Sequence, residues 1–389
     1  MTDLPIYLDN HATTRTDPQV VAAMAPFWTE HFGNAGSGQH RFGQVAADAV
    51  ERARQHLAEC LHASAEEFHF TSGATEANNL ALKGIFTGGR NLDGHLIVSA
   101  AEHRAILDPA KRLRRAGVEV TVLPVDEFGR VDPQQVANAI RANTKLVSII
   151  WANNEVGTLN DIETIGRLCR ERGVWFHTDA VQAVGKIPID LRSLPIDLLS
   201  CSAHKIYGPP GIGALYVRRG PRRIRLTPLL DGGGQEGQLR SGTVPVPLVV
   251  GFGEALRLAT TEMPTETTRV RELRDRLWMR LQAACDSLLL NGHPTERLGH
   301  NLNFSVSGVD GTALLAGLTD VAVSSGSACT TRDPEPSHVL RAMGRGDQLS
   351  RAGLRIGIGR FNTVEEIDTA ADHIASVITR LRSQVGPRE

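Results

Sequence analysis

Several things are missing from this 389-residue sequence, and each absence removes a class of protein. The five cysteines (Cys60, Cys169, Cys201, Cys285 and Cys329) are scattered, odd in number and never spaced C-x-x-C. That excludes a disulfide frame and a cysteine zinc site, and it fits reduced thiols in a cytoplasmic protein. No H-E-x-x-H or comparable ligand spacing is present, so a metalloenzyme has no support. An excess of one charge is lacking too: 42 Lys plus Arg face 43 Asp plus Glu, a formal net charge of -1. Neither nucleic acid nor a membrane surface is expected as a partner. Apolar runs such as LVSIIWA (146–152) are far too short to span a bilayer. The start, MTDLPIYLDNHATT, has no basic stretch leading into an apolar one, so no secretory signal is expected. GPPGIG at 208–213 lacks the G-x-G-x-x-G spacing that a nicotinamide dehydrogenase needs.

What is present is alternation. EEFHFTS, HLIVSA, VEVTVLPV, TKLVSIIWA, VWFHTDA, IDLLSCSA and GALYVRR read as buried strands. Between them lie helical patterns: TEANNLALKGIF, AILDPAKRLRRAG and IETIGRLCRERG, the last two closed by Gly. This predicts an α/β fold with a mostly parallel sheet. After about Ala255 the character changes. TTRVRELRDRLWMRLQAACD reads as a long charged helix, NLNFSV, DVAVSS and LRIGIG as strands, and EEIDTAADHIASVITRLRSQV as a closing helix. A smaller α+β domain is expected there: residues 13–258 form the large domain, and 1–12 with 259–389 the small one.

Active sites of open α/β sheets lie at the carboxyl ends of the strands. The polar residues expected at those ends form five clusters: Ser72-Gly73-Ala74-Thr75, Glu102-His103, Asn153-Asn154-Glu155, Asp179 with Gln182, and Ser202-Ala203-His204-Lys205. Taken singly, each has an ordinary explanation as an N-cap, a turn or a solvated side chain. Together they match the needs of pyridoxal phosphate (PLP), which takes a lysine for its Schiff base and an acid to keep the pyridine nitrogen protonated. Phosphate donors at a helix N-terminus complete the set. Lys205 is the only lysine on that rim, Asp179 the acid, and Ser72 to Thr75 precede a helix. Ser202 and His204 add donors, and the flat His103 imidazole can stack on a ring and move protons.

At this point the residues resemble a family. YLDNHATT, TSGATEANN, AAEHRAIL, WANNEVGT, FHTDAVQAVGKIPID, CSAHKIYGPPGIGALYVRR, GGGQEGQLRSGT and SSGSACT…EPSHVLRAMG are similar, end to end, to the IscS/NifS group of cysteine desulfurases. The resemblance implies a fold-type I PLP enzyme of the class V aminotransferase family, working as a homodimer. Lys205 then matches the Schiff-base lysine, Asp179 the pyridinium partner, His103 the ring-stacking histidine and Gln182 the group near the cofactor's 3-oxygen. Ala74, Thr75, Ser202 and His204 match the phosphate cradle, and Thr243 a phosphate ligand lent by the second subunit. Asn154 and Arg355 match the holders of the substrate carboxylate, and Cys329 the persulfide cysteine. Two positions depart from the group: Ala203 stands where glycine is common, and Gly237 where many relatives carry arginine.

Cys169 and Cys201 sit in element patterns and read as core thiols, as do Cys60 and Cys285. Cys329 instead lies in a turn-rich loop, about 324–338, with Arg332 close in sequence to favour its thiolate. Arg355 has the forked shape that suits a carboxylate. Composition does not separate it from Arg351 or Arg360; the family match does. The implied reaction takes sulfur from L-cysteine, leaves L-alanine and puts a persulfide on Cys329 for acceptors such as an iron–sulfur scaffold or a sulfur carrier. No metal is implied in the resting enzyme, with Cys329 open to a transient role as an iron–sulfur ligand. The alternatives are a selenocysteine lyase, another class V PLP aminotransferase or lyase, and a non-catalytic scaffold that binds sulfur-transfer partners.

Overall fold

The computed structural model describes residues 4–87, 92–325 and 336–384. A seven-stranded sheet organises the first two thirds of the chain. After the short β1 (Ile6–Tyr7) come β2 (Phe68–Thr71), β3 (His95–Ser99), β4 (Glu119–Leu123) and β5 (Thr144–Ser148). Then follow β6 (Trp175–Asp179), β7 (Leu198–Ser202) and β8 (Gly213–Val217). Their spatial order is β2-β8-β7-β6-β5-β3-β4, parallel throughout except that β8 runs against both neighbours.

The apolar runs in the sequence are explained by burial on both faces. Successive residues of β3 point to opposite sides. Leu96 and Val98 join Leu80, Ile106 and Leu113 from the helices Ala74–Phe86 and Arg104–Arg115. Ile97 joins the other layer with Leu57, Phe176, Leu199 and Leu256. TKLVSIIWA ends as a strand at Ser148, yet Ile149 and Trp151 go on donating to the His177 and Asp179 carbonyls of β6. The irregular stretch therefore still tracks the sheet to the cavity edge.

A second apolar cluster forms around β9 (Leu288–Leu290), β10 (Asn301–Val306) and β12 (Gly353–Gly357), an antiparallel sheet in the order β12-β10-β9. Helix Val364–Gln384 covers it with Ile367, Ile374 and Ile378. Only Val321–Ala322 of DVAVSS is a strand, β11, and it pairs in parallel with β1 instead of joining this sheet.

One helix differs from the sequence expectation. It runs from Val246 to Ala284, not from Thr267, and continues through Pro264. Its first half is apolar on most sides and so shows no helical stripe, because it is buried in the large core as far as Ala259. Gly253 lets it approach the helix Arg41–Cys60: a Cβ there would stand 2.8 Å from the Ala53 Cα. The second half, Val270 to Leu281, packs in the other cluster. Among the described residues no helix is long and apolar enough to cross a membrane.

Close approach also governs the start of β8. A Cβ on Gly213 would lie 2.6 Å from the Cys201 carbonyl oxygen and 2.8 Å from the Gly73 backbone. Gly213→Ala is expected to destabilise the protein by about 1–3 kcal/mol through overpacking, read as a lowered thermal midpoint. An unchanged midpoint would refute the contact.

Candidate active site

The carboxyl ends of β2, β6 and β7, with the segments after β3 and β5, open on a cavity of about 940 Å³. Its lining includes Ala74 and Thr75, His103, Asn154, Asp179, Gln182, Ser202, His204, Lys205 and Arg355. Residues proposed from six separated stretches of sequence thus share one space. Two do not belong to that set. Thr243 is exposed and is not part of the lining, and Cys329 lies outside the described residues, as does Arg332. The flanks of that segment are placed: Pro336 lines the cavity, and Ser324 bridges to Arg355 on β12.

Each side chain owes its position to local structure. Lys205 closes a single 3-10 turn after β7, and its amine donates to the His11 and Ala12 carbonyls at 2.6 and 2.5 Å. Asp179 ends β6 with its carboxylate buried; one oxygen accepts from the Asn78 amide at 2.7 Å, the other from the Val181 N–H at 3.1 Å. His103 caps the helix Arg104–Arg115, its Nδ1 accepting from the Ala105 N–H at 3.1 Å. The hydrogen of the neutral ring is therefore on Nε2. Burial pushes this imidazole below the ordinary histidine range, against the pull of Asp179. His204 is pushed down to about 4, first by burial and then by Lys205.

The N-terminus of Ala74–Phe86 follows Gly73, whose φ of +150° favours glycine, and no side chain caps its N–H groups. A first helical turn with free donors, beside Ser202 and His204, is what a phosphate requires. At the opposite side Arg355 sits inside β12, bonded to Asp9 at 2.9 Å and to the Asn154 carbonyl at 3.2 Å. Its Nε and the Asn154 Oδ1 are buried with no hydrogen-bond partner among the described residues. Buried polar atoms without partners next to a cavity suit a polar occupant. The donor set, the lysine and the buried acid together fit PLP.

Three further side chains belong to this cavity and were not singled out from the sequence: His11, Asn78 and His338. His11 lies in YLDNHATT, far from any predicted sheet strand, and only tertiary packing brings it under Lys205. Asn78 sits one helical turn from Ala74, where it reads as an ordinary buried helix residue. His338 donates to the Glu102 carbonyl at 2.9 Å, and the neighbouring Ser337 hydroxyl bonds the buried Glu155 carboxylate. The departure at Gly237 also has a local reason. Glu236, Gly237 and Gln238 have φ of 50°, 65° and 68°, a left-handed turn in which glycine relieves strain, and which seats Glu236 on Arg54 at 2.8 and 2.9 Å.

Comparison with known proteins agrees with this fold. The family model described as aminotransferase class-V matches residues 6–369. A protein named cysteine desulfurase IscS from Rickettsia peacockii (strain Rustic) is 48% identical over 380 residues, covering 98% of this chain and 92% of that one. A solved structure named NifS-like protein superposes with a TM-score of 0.90 at 34% identity, covering 97% of this chain and 100% of the other. SspA, solved in complex with cysteine, gives 0.82 at 37% identity, over 92% of this chain and 100% of its own.

Behind His103, Glu102 is fully buried, its Oε1 accepting from Ser99 at 2.6 Å and from the Ile150 N–H at 2.8 Å. Burial pushes its carboxyl up to about 8. Folded protein then binds a proton that unfolded protein has lost between about pH 4.5 and 8, so this group lowers stability as pH rises through that interval. Glu102→Gln should abolish that part of the slope and gain stability relative to the wild type between about pH 5 and about pH 8.5 in denaturant titrations. Parallel pH profiles for the two proteins would show that Glu102 is ionised in the fold.

Proposed function

The chain belongs to the aminotransferase class-V family, in its IscS/NifS-like cysteine desulfurase group, and on that premise we propose how its residues divide the reaction. It is a PLP-dependent cysteine desulfurase. The observation that carries the assignment of roles is the convergence of Lys205, Asp179, His103 and Arg355 on one cavity. We assign PLP to that cavity, where Lys205 would form the Schiff base, Asp179 would hold the ring nitrogen, His103 would stack on the ring and Gln182 would meet the 3-oxygen. Ala74, Thr75, Ser202 and His204 would hold its phosphate, with Thr243 lent by a second subunit of a homodimer; the exposure of Thr243 supports that last point. Bound PLP supplies an electron sink that weakens bonds at the substrate's Cα and Cβ.

The protein's own groups do the rest. Arg355 and Asn154 hold the carboxylate of L-cysteine, the fork of Arg355 giving two parallel bonds. Lys205 would move the Cα proton as a general base, and the neutral His103 would carry protons beside it. Cys329 thiolate attacks the substrate Sγ, the S–S bond forms as the C–S bond breaks, and the carbon takes up a proton. The products are L-alanine and a persulfide on Cys329, passed on to an acceptor such as an iron–sulfur scaffold or sulfur carrier. The two apolar clusters support a division into a large domain, 13–258, and a small domain of 1–12 with 259–389. The scattered unpaired thiols Cys60, Cys169, Cys201 and Cys285 support a reducing, cytoplasmic setting.

Borohydride reduction of PLP-loaded protein should bleach its visible band and leave the added mass on the Lys205 peptide. Lys205→Ala should carry none, and a label found elsewhere would overturn the cofactor assignment. Cys329→Ser separates a desulfurase from a simple lyase. It should still change the visible spectrum on adding cysteine, because the groups that move the Cα proton are intact. Alanine and sulfide release should fall by about two orders of magnitude or more, since a hydroxyl is a poor nucleophile at neutral pH. The matching changes at Cys60, Cys169, Cys201 and Cys285 should leave turnover largely unchanged. Wild-type rates in Cys329→Ser would make the loop cysteine incidental.

A further inference from the structure

Arg297, a buried cation 7% exposed, reaches the cavity-lining His11 through Asn301, and its guanidinium is pulled down to about 9 by burial and by Arg274. Its terminal nitrogens bond neutral oxygens, the Asn291 carbonyl at 3.1 Å and Asn301 Oδ1 at 2.6 Å. The acid nearest in effect, Asp275, is itself paired with Arg274 at 2.6 Å. A buried charge without a paired acid of its own is costly.

The direction of each bond that leads away from it is fixed. Arginine can only donate, so Asn301 Oδ1 accepts and the Asn301 amino group donates. That amino group meets His11 Nε2 at 3.0 Å and the Glu155 carbonyl at 3.1 Å. His11 Nε2 therefore holds the lone pair and Nδ1 the hydrogen. The ring is kept neutral by burial and by His300, on which it stacks at 4.6 Å, with Arg355 and Lys205 adding to the effect. Its Nδ1–H donates to Gln182 Oε1 at 3.0 Å, and the Gln182 amino group donates back to the His11 carbonyl at 3.1 Å. The second hydrogen of that amino group remains for the cavity, which Gln182 lines.

We propose that Arg297 is a positioning residue that acts through Asn301, His11 and Gln182 to hold a hydrogen-bond donor against an anionic oxygen of the bound group. The inference rests on the assignment of Gln182 to the cofactor's 3-oxygen and adds the charge that drives it. Every donor in the chain points the same way, from the buried cation to the cavity, so the polarisation of each bond reinforces the next. Stabilising negative charge on the ring oxygen weakens its hold on the neighbouring proton and lowers the pH midpoint of the PLP absorbance. Lys205, His103, His204, Asp179 and Arg355 also face that chromophore and form a background that the variants leave in place.

The test is a pH titration of the visible band of PLP-loaded protein. Arg297→Met and His11→Phe should each raise the midpoint by about half a pH unit or more. The double variant should shift little beyond the larger single, because both act through one chain. Arg297→Lys, which keeps the charge, should stay near the wild type. If Arg297→Met does not fold, Arg297→Gln, which keeps a donor without the charge, takes its place and should raise the midpoint likewise. His11→Phe, whose ring preserves the stack on His300, tests the link to Gln182. An unmoved midpoint in His11→Phe, or additive shifts in the double variant, would overturn the relay. Wild-type protein that takes up PLP without a borohydride-sensitive band would overturn the cofactor assignment instead, so the two failures are distinct.

Discussion

The short stretch from Leu8 to Asp17 threads between the two hydrophobic clusters, and its main chain bonds to both. Leu8 and Asn10 exchange hydrogen bonds with Ala322 and Gly357 on one side, while Thr14 and Asp17 donate to the His204 and Tyr207 carbonyls on the other. In the middle, the His11 and Ala12 carbonyls receive the Lys205 amine. A backbone carbonyl cannot move without its neighbours, so the reactive amine is indexed to both clusters at once. Gly357 shows how tight the fit is: a Cβ there would come within 2.7 Å of the His11 ring.

Buried charge reinforces this joint. Tyr207, two residues beyond Lys205, has a φ of 65° that a side chain rarely adopts, and three bonds keep it there. Its N–H donates to Thr14 at 2.8 Å, its hydroxyl donates to Glu266 at 2.9 Å, and the Arg360 N–H donates to that hydroxyl at 2.7 Å. Arg360 in turn pairs with Asp17 at 2.8 Å and with Glu266 at 2.7 Å. Since β12 carries Arg355 and ends just before Arg360, the knot fixes the guanidinium expected to hold substrate relative to the lysine expected to act on it. Breaking one member of such a network leaves another buried charge unpaired, which costs far more than a surface ion pair contributes.

The departures from the family pattern fit their surroundings. Ala203 is fully buried, and its methyl fills space that Gly208 leaves open: a Cβ on Gly208 would stand 2.8 Å from it. Gly237 occupies a left-handed turn beside His69. Ala203 lies in the turn that carries Lys205 yet does not itself line the cavity, and neither does Gly237.

Alternation of short β-branched runs with amphipathic stretches determined the parallel sheet, because burial on both faces leaves no other pattern open to those strands. The polar clusters after them were legible for the same reason: chain direction in such a sheet carries the carboxyl ends of its parallel strands to one rim. Helix Val246–Ala284 was half hidden, since a segment buried on most sides shows no stripe and Pro264 reads as a stop. The roles of His11, Asn301 and Arg297 were not legible at all. Nothing local marks them, because each works only through partners as many as 290 positions away. Sequence determined which chemistry the rim could hold; tertiary packing alone decided which neutral and charged groups stand behind it and which way their hydrogens point.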